Sequence, residues 1–266
     1  MQFIRFYKNI ESDVKGTFRL VPVPNVELYF NFTGVRLFSN TYYDLEYPRI
    51  HIAGLQQYEQ EAYTRMDGTG RGGGFAIVFT PTGFYELFKI RSADLYKYAF
   101  DGHTLFGESM EELWEKLNGC FDIREMKRHT EQFFSKKMTK TKSCFRLVNE
   151  VVLHMEMTRG MALVSEICQG FRTTPRSLQR KFKEELGSSP KEMMQILRIN
   201  HALNLLRHGP ETDLTEISYL SGYYDQSHFI REIRKISGIS PGLLKNDEPK
   251  MNISHDRIMI RTPQES

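Results

Sequence analysis

The feature that most constrains this chain is an internal repeat in its C-terminal part. Glu166-Ile167 returns as Glu216-Ile217 at an offset of 50, and one inserted residue then makes the offset 51. At that offset Thr174 answers to Asp225, Leu178 to Phe229, Arg180 to Arg231 and Phe182 to Ile233. Lys183 answers to Arg234, Gly187 to Gly238, and Ser189-Pro190 to Ser240-Pro241. A fixed offset over so many positions means one supersecondary unit used twice; two copies are too few for a solenoid.

Each copy reads as helix, tight turn, helix. In the first, Leu163, Ile167 and Cys168 form the buried side of a short helix. Thr174-Pro175 opens the next helix, with Thr as N-cap and Pro at the first helical position. Leu178 and Phe182, four apart, face inward, and Gly187 ends the helix. The second copy repeats this with Leu214 and Ile217, a turn at Gly222, a cap at Asp225, inward Phe229 and Ile233, and a stop at Gly238. This is the grammar of proteins that set a helix into the DNA major groove.

The outward faces of the second helices carry the chemistry. Arg176, Ser177, Gln179, Arg180 and Lys183 avoid the Leu178/Phe182 face, and Gln226, Ser227, His228, Arg231, Arg234 and Lys235 are their counterparts. Arg bridges guanine O6 and N7, and Gln bridges adenine N6 and N7. One basic helix face alone is usually just solvated; two in register with a duplicated turn point to double-stranded DNA. Between the copies, Pro190–His208 reads as one long apolar helix ended by Gly209-Pro210. Its length of roughly 28 Å approaches the roughly 34 Å between successive major grooves on one side of B-DNA.

Charge and texture divide the chain in the same place. Residues 1–140 carry 18 Lys+Arg against 18 Asp+Glu, residues 141–246 carry 15 against 11, and residues 247–266 carry 3 against 4. The positive excess thus lies with the repeat. Before residue 140, aromatic-rich runs at Thr17–Val23, Val26–Phe32, Arg49–Leu55 and Phe75–Thr80 read as strands, punctuated by Pro, Asn and Gly. Glu108–Leu117 and Ile123–Lys137 then show helical spacing. The expected organisation is α+β: a β-rich unit over 1–140, an all-α unit over 141–246 hung on a linker near Thr139–Lys142, and a frayed tail over 247–266.

The stretch from about 145 to 245 resembles the DNA-binding domain of the AraC/XylS transcription-regulator family. The matching residues are Thr174-Pro175-Arg176-Ser177-Leu178-Gln179-Arg180-Lys181-Phe182 and Leu186-Gly187-x-Ser189-Pro190. In the second unit they are Gly222-Tyr223-x-x-Gln226-Ser227-His228-Phe229-x-Arg231 and Gly238-x-Ser240-Pro241. Ile233, Ser218 and Arg172 depart from the usual Phe, Ala and Gly; Arg172 would be strained if its turn keeps a positive φ. Less specifically, Gly74-Phe75-Ala76-Ile77-Val78-Phe79-x-Pro81-x-Gly83 after the strand Val26–Phe30 resembles the sensor-like domain ahead of some members. The resemblance implies a small cupin-like barrel plus helices, sensing a small-molecule effector or holding a homodimer, in a cytoplasmic regulator. RNA polymerase would be a partner if the protein activates.

Other classes fare worse. Gly68–Gly74 is glycine-rich but lacks the Gly-Lys-Ser/Thr ending of a phosphate loop, and a strand rather than a helix follows; a mobile hairpin turn is expected. The eight histidines show no metal spacing, and His51 and His103 alone make no site, so neither metal nor cofactor is expected. Cys120, Cys144 and Cys168 form no framework and read as buried apolar residues. No apolar run of about 18 residues exists to cross a membrane. The chain is therefore read as a DNA-binding regulator and not an enzyme. Two alternatives remain: an N-terminal protein-interaction module without a ligand, and an enzyme with an appended DNA-binding domain. Trp114, Leu117, Phe133 and Phe134 exceed what a small barrel covers, which points to a homodimer through the two helices.

Overall fold

The computed structural model describes residues 4–12, 18–20, 23–32, 36–40, 45–46, 48–53, 63–67, 72–95, 100–137, 146–208, 213–237, 239–246, 251–254 and 257–261. The N-terminal part is built on two antiparallel sheets. The first orders β1 (Ile4–Ser12), β8 (Gly72–Phe79), β3 (Glu27–Asn31), β6 (Ile50–Ala53) and β9 (Phe100–Asp101). Within it Leu28 stands opposite Ile77 and Ile52, and Phe30 opposite Phe75 and Ile50. Strand alternation puts these side chains on one face. They bury themselves against α1 (Gly83–Phe88), α3 (Glu108–Asn118) and α4 (Ile123–Lys137), which supply Phe84, Met110, Leu113, Leu117, Met126 and Phe134. A short helix α2 (Gly102–Phe106) leads into α3.

The second sheet orders β10 (Met251–Ser254), β11 (Arg257–Arg261), β2 (Phe18–Leu20), β7 (Tyr63–Asp67), β4 (Arg36–Asn40) and β5 (Leu45–Glu46). Two of its strands lie where a frayed tail was expected. Met251 and Ile253 alternate with Asn252 and Ser254, Ile258-Met259-Ile260 is a short apolar run between two arginines, and β11 finds a partner edge in β2, where Met259 stands opposite Leu20. The glycine run is corrected too. Gly72–Gly74 belong to β8, opposite Ser12, Glu11 and Ile10 of β1. A Cβ on Gly74 would stand 2.6 Å from the Phe30 carbonyl oxygen, so glycine there admits a close backbone approach. Residues 68–71 and the expected linker residues 139–142 lie outside the described residues.

The apolar surplus on α3 and α4 is consumed within the chain. Leu117 and Phe134 are fully buried, Phe133 packs on the core, and the Trp114 indole N–H donates to the Asn31 carbonyl at 2.9 Å. The outer face of α4 is polar, with Arg124, Lys127, Arg128 and Gln132 exposed. The surface that pointed to a homodimer is thereby covered; of the apolar residues at this hairpin, only Phe121 in its turn is fully exposed.

The C-terminal part is all helical: α5 (Arg146–Met157), α6 (Val164–Gly170), α7 (Pro175–Glu185), α8 (Pro190–His208), α9 (Leu214–Leu220), α10 (Gln226–Ser237) and α11 (Pro241–Asn246). Two cores share α8. Met193, Met194 and Ile196 join Val148, Val151, Ile167, Leu178 and Phe182. One and two turns later, Ile199, Ala202, Leu203 and Leu206 join Ile217, Tyr223, Phe229 and Ile233. At the start of α8, the Ser189 hydroxyl accepts from the Glu192 N–H at 3.2 Å while Glu192 accepts from the Ser189 N–H at 2.6 Å, a reciprocal cap.

The duplicated turns share one backbone geometry with different residues. Gly222 has φ +74°, and Arg172, its counterpart fifty residues earlier, has φ +49°. Left-handed geometry costs a residue bearing a Cβ roughly 1–2 kcal/mol. Arg172→Gly is therefore expected to leave thermal stability unchanged or raise it by up to about 1 kcal/mol. Gly222→Ala should lower it, because alanine there takes a left-handed backbone and its Cβ would also stand 2.7 Å from Met161 Cγ. Urea unfolding of the two variants reads this; equal losses in both would contradict it.

The N-terminal and C-terminal parts meet at a polar joint. Ser92 Oγ donates to the Leu186 carbonyl at 3.1 Å, and Thr82 Oγ1 donates to Asn149 Oδ1 at 2.9 Å. Beside them Glu185, last residue of α7, is buried, with Oε2 lacking a hydrogen-bond partner among the described residues. Burial raises its pKa to about 7, Glu184 and Glu86 push the same way, and Lys181 and Lys89 oppose. The folded chain thus holds a proton there that the unfolded chain releases near its ordinary value of 4.5. Stability should fall as pH rises from about 4.5 to about 7, the loss being complete above that. Glu185→Gln is expected to flatten this part of the melting-temperature profile and to be more stable than the parent at pH 8. A profile unchanged by the substitution would remove Glu185 as its source.

Candidate nucleic-acid interface

Both second helices of the repeat are started by side-chain caps. The Thr174 hydroxyl accepts from the Ser177 N–H at 3.2 Å, with Pro175 at the first position of α7. Asp225 Oδ1 accepts from the His228 N–H at 2.7 Å at the start of α10. The first helix of each pair uses the shared glutamate position differently. Asp213 Oδ1 accepts from the Glu216 N–H at 2.7 Å, whereas in the first unit, where Leu163 holds the cap position, Glu166 Oε2 reaches back to the Leu163 N–H at 3.0 Å. These caps satisfy amide groups left open at a helix start and fix where each recognition face begins.

Leu178, Phe182 and Glu185 turn α7 inward, and Phe229 and Ile233 do so for α10. The opposite faces are exposed. Arg176, Gln179, Arg180 and Lys183 lie along α7, and Ser227, Arg231, Arg234 and Lys235 along α10; Ser177, Gln226 and His228 are half-buried. Arg176, Arg231 and Arg234 form no ion pair with another described residue. A guanidinium left so can deliver its fork of donors to a base edge or a phosphate.

Others among the expected site residues have intramolecular partners. Arg180 pairs with Glu184 at 3.4 Å, but both are well exposed and such a pair is worth little. Lys183 Nζ donates to the Gly187 carbonyl at 2.8 Å, closing the C-terminus of α7. Gln226 Oε1 accepts from the Thr215 hydroxyl at 3.4 Å. His228 leans on Tyr223 edge-on at 5.5 Å and lies 3.7 Å from Glu232. Glu232 in turn accepts from Gln195 Nε2 of α8 at 2.5 Å, and Arg198 of α8 lies 5.8 Å over the Tyr223 ring. Burial and the neighbouring Glu232 push the Tyr223 hydroxyl well above its usual range, so it stays protonated. The second recognition helix is thereby locked onto the spacer by polar as well as apolar contacts.

Two further groups stand at the helix starts, where phosphates are met in groove-reading proteins. Arg172 is exposed in the first turn, and Tyr224 is almost wholly exposed in the second. Tyr224 lies at the repeat's one-residue insertion, between Gly222 and Asp225, which was the available signal; Arg172 drew notice in the sequence only as a source of strain. Glu185 was missed as well, although the repeat aligns it with Ile236, an apolar residue.

A family model described as a helix-turn-helix domain matches residues 167–247. Over 75 residues the chain is 33% identical to the HTH-type transcriptional activator RhaS of Escherichia coli O139:H28 (strain E24377A / ETEC). That alignment covers 28% of this chain and 27% of RhaS, so the chain matches about a quarter of its curated relative's length. Among solved structures, ToxT from Vibrio cholerae O395 superposes over 90% of this chain and 97% of its own, with a TM-score of 0.48 and 14% identity. The C-terminal domain of AraT, a response regulator from Geobacillus stearothermophilus, covers 43% of this chain and 93% of its own, with a TM-score of 0.37 and 22% identity. Residues 167–247 thus match a helix-turn-helix domain, over the same stretch that resembles the AraC/XylS family of transcription regulators.

Proposed function

We propose that this protein is a sequence-specific DNA-binding transcription regulator that sets α7 and α10 into two successive major grooves. The observation that carries this is the pair of capped, outward-facing basic helices held by one rigid spacer. Arg176, Ser177, Gln179 and Arg180 read bases in one groove and Gln226, Ser227, His228 and Arg231 in the next. Lys183, Arg234 and Lys235, a turn further along, meet phosphates, with Arg172 and Tyr224 at the helix starts. A regulator of this kind works in the cytoplasm, acts through no catalytic site, and meets RNA polymerase where it activates. RhaS is a transcriptional activator, which favours that direction.

Binding-site selection with the full chain tests the assignment. It should return an asymmetric site of about 17–20 base pairs, with two dissimilar halves one DNA turn apart. Arg176→Ala and Gln179→Ala should each relax one half only, costing about 1–3 kcal/mol. Arg234→Ala and Lys235→Ala should weaken all sequences alike and flatten the salt dependence. A single half-site, or an unchanged motif in the α7 variants, would refute the reading.

The N-terminal sheets are best read as a cupin-like sensor of a small molecule. The face of the first sheet opposite its aromatic core carries buried polar side chains. Tyr29 stacks on His51 at 4.9 Å and donates its hydroxyl to Glu27, which is fully buried. A polar row enclosed in a sheet suits recognition of a ligand with hydroxyl or amine groups. A metabolite library screened by melting temperature should yield a stabilising compound whose effect is lost in Tyr29→Phe. A library without a hit would favour an interaction module.

A homodimer of this protein would be centred on Phe121, which stands fully exposed at the α3–α4 turn. Sedimentation at tens of micromolar should show a dimer that Phe121→Glu converts to a folded monomer. A monomeric parent chain at that concentration would remove the proposal.

A further inference from the structure

The hairpin between α3 and α4 brings together three side chains that no DNA-binding role uses. Cys120 Sγ, a Glu125 carboxylate oxygen and a His129 ring nitrogen all lie within 4.8 Å of one another. Their placement follows from the chain. The Gly119 N–H closes α3 on the Glu115 carbonyl, and Cys120 Sγ rests on the Lys116 carbonyl at 3.0 Å, which aims the thiol along the hairpin. Asp122 then accepts from the Arg124 N–H at 3.0 Å and starts α4. Glu125 and His129 are four apart and share a face of that helix. Helical side chains lean toward the N-terminus, so both reach back toward Cys120, and His129 Nε2 comes within 3.8 Å of Glu125 Oε1.

We propose that Cys120, Glu125 and His129 form a binding site for a divalent cation of the zinc class. The donor set selects the ion. A thiolate with an imidazole suits zinc and its soft neighbours, whereas magnesium and calcium demand oxygen alone. Zinc bonds of about 2.3 Å to sulfur and about 2.0–2.2 Å to nitrogen and oxygen leave tetrahedral donors roughly 3.3–3.7 Å apart. The three groups here need to close by about an ångström, which rotation of partly exposed side chains provides. Two of the three come from one helix and the third from the turn before it, so the ion pins the end of α3 to the start of α4. Three protein ligands leave a fourth position for water or an exogenous donor. The competing contact is weak: Arg128 pairs with Glu125 at 3.3 Å, with both side chains well exposed. The spacing Cys-x4-Glu-x3-His contains neither a histidine pair nor a cysteine pair, so no metal motif is visible in the sequence alone.

The test uses the full, reduced, tag-free chain titrated with Co2+ as a spectroscopic stand-in for zinc. One equivalent is expected to bind with a thiolate-to-cobalt charge-transfer band, and Zn2+ should displace it. Cys120→Ser, nearly isosteric at a half-exposed position, should keep its circular dichroism and lose the band. His129→Ala should weaken binding roughly tenfold or more, while Cys144→Ser should bind as the parent does. Zn2+ should raise the melting temperature of the parent and not of Cys120→Ser. Absence of a thiolate band overturns the proposal, as does a band that survives Cys120→Ser or a His129→Ala chain that binds as tightly as the parent.

Discussion

Everything the C-terminal part does depends on one helix belonging to two cores at once. The first turns of α8 bury Met193, Met194 and Ile196 with the first unit, and the following turns bury Ile199, Ala202, Leu203 and Leu206 with the second. An ordinary surface helix has one apolar stripe; this one is apolar on different sides along its length. The consequence is mechanical. Neither unit can rotate about the spacer without exposing its own core, so the spacing and phase of the two reading faces are set by the length of a helix. The polar clasp from Gln195 to Glu232 fixes the same relation a second time.

The joint at Glu185 connects that rigid reader to the N-terminal sheets. Its described hydrogen bonds are polar, a hydroxyl on a carbonyl and a hydroxyl on an amide, beside a carboxyl whose pKa burial raises to about 7. An apolar joint of similar size would hold regardless of conditions. A buried carboxyl instead makes docking sensitive to its surroundings, because ionisation must be offset by water or a cation. Leu186 and Glu185 end the very helix whose other face is proposed to read DNA.

Much of this was legible in the sequence, for identifiable reasons. The helix over Ile123–Lys137 was found to the residue, because its apolar spacing is regular. The start of α7 was found because Thr174-Pro175 has a specific mechanical meaning, and the strain at Arg172 because the family this stretch resembles usually has glycine there. Strands β1 and β7 were missed: Lys8, Asn9 and Glu11, and Thr64, Arg65 and Asp67, dilute the alternation, and their pairing is long-range. The faces of the interface were readable from periodicity, but the engagement of each side chain was not. Whether Lys183 reaches outward or back to the Gly187 carbonyl depends on one rotamer, and so does the lean of His228 toward Glu232. Cys120, expected to be buried, is half-exposed, because it sits in the α3–α4 turn beside the fully exposed Phe121.

The C-terminal hairpin changes what kind of attachment the reader has. Because β10 and β11 extend the same sheet as β2, the chain leaves the N-terminal unit before α5 and returns to it after α11. Topologically the helical part is an insertion, not an appendage. A single cut in the connecting segment would leave the two parts still joined through the sheet, and a deletion of the last strands would free one end and expose the edge of β2. A helical part anchored at both ends explores fewer orientations than one on a single tether, so less entropy would be lost in the proposed binding to a duplex.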